Sequence, residues 1–334
     1  MRDQQTVLEI IEKTRQRREE RRSFMRVAGG AVAVAGGLTL LSACDDDDDD
    51  DVTPTPTPTP ISSSDAQDIA VLNFALQLEY LEAQFYAYAA FGTGLNASLL
   101  TGVGTQGAVS TTGSNAPRKV TFTDPVIEQY AREIAIDEIA HVTFLRQALG
   151  SAAAAQPAIN ISGGTGGSFS AAATAAGIPG GSGFDPYASE NNFLLGAYLF
   201  EDVGVTAYKG ASPLITNKTY LEAAAGILAA EAYHAGLVRT VLYTRGATVA
   251  DLRLNANRIS DARDSLDGAT DLDQGVTLTS TAGVVSANLV PTDGNGIAFS
   301  RTPQQVLSIV YLGATPTAAS FFPAGVNGTL RTTT

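Results

Sequence analysis

The chain has two histidines, and each closes a Glu-x-x-His sequence: Glu138-Ile139-Ala140-His141 and Glu231-Ala232-Tyr233-His234. With 13 glutamates in 334 residues, chance would place Glu at that offset before both histidines about once in several hundred such chains. On a helix a spacing of three sets carboxylate and imidazole one turn apart on one face, where both can reach a single ion. The match extends further, because Phe144 and Arg146 follow His141 as Leu237 and Arg239 follow His234. A twofold internal repeat is the simplest account.

Both motifs fall in helical patterns. The first helix is expected from about Ser64 to Phe91, with Leu72, Leu76, Glu79, Ala83 and Tyr86 on one stripe and a stop at Gly92. The second opens with Asp124 as N-cap and Pro125 at the first helical position and runs to Gly150. Asp185 and Pro186 repeat that device for a third helix reaching Gly210, and a fourth runs from Thr216 or Asn217 to Gly246. The fold class is therefore all-α, a four-helix bundle over residues 65–246.

The first and third helices also carry acid in their apolar middles, Glu79 in LQLEYLEAQFY and Glu201 in AYLFEDVGVTAY. Burying Glu79, Glu138, His141, Glu201, Glu231 and His234 together without compensation would cost several kcal/mol per unpaired ion. Two divalent ions would compensate four carboxylates. Glu82 lies one turn from Glu79 and is the alternate ligand: a tyrosine seven residues on in both halves (Tyr86, Tyr208) aligns Glu79 with Glu201, whereas matching Asn73-Phe74 with Asn192-Phe193 aligns Glu82 with Glu201. Glu133 and Asp137 read as a solvated face, with Asp137 within reach of a histidine as hydrogen-bond partner. The competing reading is a bundle that keeps buried acid–histidine pairs without metal.

The order Glu, Glu-x-x-His, Glu, Glu-x-x-His on successive helices resembles the ferritin-like di-iron carboxylate proteins. The resemblance implies two iron ions, or an iron/manganese pair, held by those six residues, with Tyr86 and Tyr208 as redox-active candidates. It departs from ferritins in the roughly 30 residues of Gly, Thr, Ser and Asn between the first two helices; residues 151–184 fit the long crossover between the second and third. No cysteine pair is present for a rubredoxin module. Residues 247–334 are expected as a loop-rich extension packed on the bundle, with one short helix from Thr302-Pro303 to near Gly313. Arg263-Asp264-Ser265-Leu266-Asp267-Gly268, Asp273-Gln274-Gly275, Val290-Pro291-Thr292-Asp293, Gly296 to Pro303 and Phe322-Pro323-Ala324-Gly325-Val326-Asn327-Gly328 resemble the tail of the ferritin-like family that includes plant desiccation-related proteins. The implied functions are oxidase, peroxide-detoxifying or ferroxidase chemistry. A non-enzymatic desiccation or stress role in the envelope, or metal sequestration, stands beside them.

The N-terminus adds an address. The basic stretch RQRREERRSFMR precedes an apolar run of about 15 residues, Val27 to Leu41. That run is short of the roughly 20 needed to span a bilayer and suits a signal peptide, here residues 1–43. Arg21-Arg22-Ser23-Phe24-Met25-Arg26 resembles a twin-arginine export signal, with an ordinary secretory signal as the alternative. Leu41-Ser42-Ala43-Cys44, containing the sole cysteine, resembles a lipobox. Seven aspartates and a Thr-Pro repeat follow, so residues 44–64 form a lipidated tether, extended and unable to fold. A charged spacer describes the aspartates as well as the surface-export signal of Bacteroidetes-type lipoproteins does. The expected location is a membrane-anchored lipoprotein on the periplasmic or cell-surface side.

The formal charge is −13 even with this basic leader included, which argues against nucleic acid as a partner. The partners expected are the membrane, through the lipid, and metal ions; a homodimer is compatible with the sequence. Cys44→Ser should move the protein from the membrane fraction to the soluble fraction, and equal partition of parent and variant would refute lipidation.

Overall fold

A helix buried on every side belongs at the centre of a bundle, and the first helix is one: residues 71–87 are buried without a break. The computed structural model describes residues 63–110, 114–279 and 283–334, all within the unit Pro60–Thr334. The expected signal peptide, Cys44 and residues 45–62 of the expected tether lie outside the described residues, whereas Ser63 and Ser64, expected at the end of the tether, already belong to the first helix. The chain runs through α1 (Ser63–Phe91), α2 (Pro125–Leu149), α3 (Ser168–Ala175), α4 (Glu190–Ala211), α5 (Lys218–Arg245), α6 (Ala250–Asp267), β1 (Thr277–Thr279), β2 (Val285–Ala287) and α7 (Pro303–Val310). α1 packs along α2 and α4 along α5, α1 also meets α4, and α2 meets α5. The result is a four-helix bundle with a helical and looped C-terminal part.

Capping chemistry fixes three of the four helix starts. Asp124 accepts a hydrogen bond from the Val126 N–H at 2.9 Å, with Pro125 first in the helix, and Asn217 accepts from Thr219 and Tyr220. The third long helix differs from expectation. It starts at Glu190, where Ser189 Oγ accepts from the Asn192 N–H at 3.2 Å. Asp185 is engaged elsewhere, accepting from the Tyr187 N–H at 3.0 Å and pairing with Arg118 at 2.5 Å.

The two low-complexity connections cover α1. Isolated bridges join Val103 to Ala154, Val109 to Ile159 and Asn115 to Gly163, so each segment supplies backbone partners to the other. Gly107 is required at that crossing, since a Cβ there would stand 2.1 Å from the Ala158 nitrogen. The polar residues on one face of α1 anchor the inner segment: Asn73 accepts from the Ala154 N–H at 2.7 Å, and Gln84 donates to Gln156 at 2.6 Å.

Behind the bundle, residues expected mainly as loop form the 18-residue α6. Its buried positions Leu252, Ala256, Ile259 and Arg263 follow helical spacing. The short helix near Thr302 is present as α7, opened by a capping box between Thr302 and Gln305. Three buried arginines weld this region to the bundle. Arg239 of α5 and Arg263 of α6 both donate to Asp202 of α4, at 2.7 and 2.8 Å. Arg263 and Arg301 share Asp273 at 2.8 Å each, and Arg301 reaches Asp267 at 2.6 Å. Arg239 and Arg263 also sit over the Tyr198 ring.

Among the described residues no helix is long and apolar enough to cross a membrane. Arg301→Ala would strand Asp267 and half of Asp273 in a dry interior, so urea unfolding should show a loss of about 3–5 kcal/mol. A loss below 1 kcal/mol would mean that the network is not a structural clamp.

Candidate metal centre

The four long helices bring seven titratable side chains to one level of the core. Glu79, Glu82, Glu138, Glu201, Glu231 and His234 are buried, and the His141 side chain is 12% exposed. His141 Nδ1 lies 3.2 Å from Glu79 Oε2, 3.4 Å from Glu138 Oε2 and 3.9 Å from Glu231 Oε1. His234 Nδ1 lies 3.1 Å from Glu138 Oε1 and 3.6 Å from Glu201 Oε2. Glu138 thus turns one oxygen to each imidazole, and the two rings stand 6.4 Å apart. One ligand atom from each of Glu79, Glu138, His141 and Glu231 falls within 4.8 Å of the others, a spacing that could hold a metal ion.

The two tyrosines cross-brace the carboxylates. Tyr86 of α1 donates to Glu201 Oε1 on α4, and Tyr208 of α4 donates to Glu79 Oε1 on α1. This reciprocity aligns Glu79 with Glu201 and Tyr86 with Tyr208, and the same register sets Glu82 opposite Gly204. A Cβ at Gly204 would lie 2.3 Å from Glu231 Oε2 and 3.6 Å from Glu82 Oε1. The missing side chain makes room for the Glu231 carboxylate. Sequence reasoning passed over Gly204, although the register that pairs it with Glu82 was available. It did weigh Asp137, whose Oδ2 lies 3.4 Å from His234 Nε2.

Electrostatics shows what this crowding requires. Burial, reinforced by Glu138, raises Glu79 to about 7 against the lowering pull of His141. Burial likewise raises Glu201 to about 8, with His234 opposing and Glu138 adding. Burial and the neighbouring carboxylates hold Glu82 and Glu231 well above the ordinary range. For Glu138 the raising effect of burial loses to the imidazole of His141, with His234 and Glu79 adding to it, and the carboxyl falls below its ordinary value. Burial disfavours charge on the histidines, yet Glu79 and Glu138 raise His141 to about 11, and Glu201 with Asp137 raises His234 to about 10. Protons and cations compete for the same atoms.

The donor set fits metal ions on one further observation. Glu79 Oε2, Glu138 Oε1, Glu201 Oε2, both Glu231 oxygens and His234 Nδ1 are buried without a hydrogen-bond partner among the described residues. Orphaned buried acceptors are costly. Here they converge, and carboxylate oxygens with imidazole nitrogens suit iron, manganese or zinc.

Comparison with known proteins agrees with this architecture. Residues 67–244 match the ferritin-like domain. The chain is 32% identical over 274 residues to the desiccation-related protein PCC13-62 of Craterostigma plantagineum, covering 78% of this chain and 83% of that protein. It is 28% identical over 273 residues to the ferritin-like catalase Nec2 of Nesocodon mauritianus, covering 79% and 85%. No solved structure gives a significant match. A four-helix bundle with a carboxylate–histidine cluster at its centre, matched across all four long helices, places the chain in the ferritin-like domain family.

Proposed function

We propose that the bundle holds two iron ions, or iron with manganese, and that the protein disproportionates hydrogen peroxide. The observation that carries the reading is the convergence of unpartnered buried ligand atoms on two imidazoles. In this reading Glu79 and His141 would hold one ion and Glu201 and His234 the other, with Glu138 and Glu231 available to both. Bound ions would supply the two-electron reservoir that lets one peroxide be reduced to water and a second be oxidised to dioxygen.

The chain's own residues provide the setting. Tyr86 and Tyr208 fix the Glu201 and Glu79 carboxylates by hydrogen bonds, and burial keeps both phenols protonated. Glu82, whose carboxyl burial and the neighbouring carboxylates push well above the ordinary range, can relay, one at a time, the two protons that pass from the peroxide being oxidised to the peroxide being reduced. Apolar packing by Leu76, Phe85 and Phe200 excludes bulk water from the bundle interior. The likeness to a protein named ferritin-like catalase supports peroxide as substrate.

The likeness to a desiccation-related protein supports a second reading, in which the metals only staple a stress-protective or metal-sequestering bundle. On either reading this chain would act outside the cytoplasm, exported by the Arg21-Arg22 signal and anchored through Cys44.

Purified full chain should contain about two transition-metal ions, and it should release one dioxygen for every two peroxides consumed. His141→Ala with His234→Ala should abolish both properties. A metal-loaded parent that leaves peroxide untouched would favour the staple, and unchanged metal content in the double variant would refute the ligand set.

Gly204→Ala separates the fold from the site. Helix propensity favours alanine by about 1 kcal/mol, but the added Cβ would collide with Glu231 Oε2. Metal content should fall while helical content and apo-protein Tm hold or rise. Full metal loading of this variant would exclude Glu231 as a ligand.

A further inference from the structure

The ligands repeat with twofold symmetry, but their surroundings do not. Aligning Glu138–His141 with Glu231–His234 pairs Asp137 with Ala230, Glu133 with Gly226 and Tyr130 with Ala223. The polar and acidic members of these pairs all belong to α2. They face the seam between α2 and α5, and there a groove of about 320 Å³ opens, whose walls include Tyr130, Glu133, Asp137, Tyr233 and His234 beside the apolar Ile134, Ala230 and Leu237.

The inner wall of the groove is an imidazole with two roles. His234 Nε2 faces Asp137 Oδ2 at 3.4 Å. On the same ring Nδ1, buried and without a hydrogen-bond partner among the described residues, lies 3.1 Å from Glu138 and 3.6 Å from Glu201. The ring therefore joins the groove to one half of the cluster. Glu133 is exposed and the Asp137 side chain is 30% exposed, so both can meet a hydrated cation from solvent. Carboxylates lining a cleft raise the local concentration of cations and their rate of arrival. They also offer oxygen atoms in place of the water that a divalent ion must shed.

We propose that this groove is the loading port for divalent cations, and that the ion on the Glu201–His234 side arrives first and exchanges most readily. The proposal rests on the reading that the cluster binds two ions, but its test separates the two. Full chain stripped of metal with a chelator is mixed with cobalt(II), whose visible absorption reports ligation. The parent should load in a fast and a slow phase, with the fast phase weakening as salt rises.

Asp137→Asn with Glu133→Gln should slow the fast phase about tenfold and remove its dependence on salt. Glu222→Gln, an exposed acid on α5 outside the groove, should leave both features unchanged. Two ions loading at the parental rate and salt dependence in the groove variant would overturn the port alone. An end point below two ions in that variant would make Asp137 or Glu133 a ligand and would also overturn it. A parent that takes up no cobalt would overturn the metal centre and the port together.

Discussion

Five carboxyl groups buried around two imidazoles are the constraint to which the rest of the molecule answers. Each carboxylate left charged in a dry core is costly, and no hydrogen-bond network among the described residues absorbs the orphaned oxygens. What the fold does provide is geometry. The phenols of Tyr86 and Tyr208 take one oxygen each from Glu201 and Glu79, leaving the other oxygen of each free to face inward. Gly204 clears the space that the Glu231 carboxyl occupies. These are arrangements for presenting oxygen atoms rather than for satisfying them.

A second electrostatic centre behind the first has the opposite character. Asp202 is adjacent to Glu201 on α4 and accepts from both Arg239 and Arg263, and Asp273 bridges onward to Arg301. Neighbouring residues of one helix thus serve two purposes. Glu201 points into the cluster, where its Oε2 is left without a hydrogen-bond partner among the described residues, and Asp202 points into a network where guanidinium groups meet it. One side of the helix is thus closed by ion pairs while the other keeps an oxygen atom open.

The bundle was readable because its helices announce themselves locally. Asp124-Pro125 and Asn217 cap where their side chains predict. Asp185-Pro186 has the same form, but Arg118, distant in sequence, claims the aspartate and the helix waits for Ser189. α6 was hidden because its buried stripe is sparse and includes an arginine, which looks like a surface residue until Asp202 and Asp273 are seen around it. The pairing of the two glycine- and alanine-rich connections rests on non-local backbone contacts that composition cannot report. In the cluster, two histidines in the whole chain made the Glu-x-x-His pairs conspicuous. For Glu79 and Glu82 the sequence offers two registers, one from the tyrosines and one from Asn73-Phe74, and the hydrogen bonds that Tyr86 and Tyr208 make across the bundle decide for the first.

The arginine clamp also ties the bundle to residues outside it. Asp202 and Arg239 lie on two of the four long helices, whereas Arg263, Asp273 and Arg301 all follow the last of those helices in the chain. A chain cut after α5 would keep both Glu-x-x-His motifs and lose the partner that Asp202 finds in Arg263 and, through it, in Asp273. The isolated bundle is therefore a different object from the same helices in the full chain, with the cluster present and the outer side of α4 only half closed.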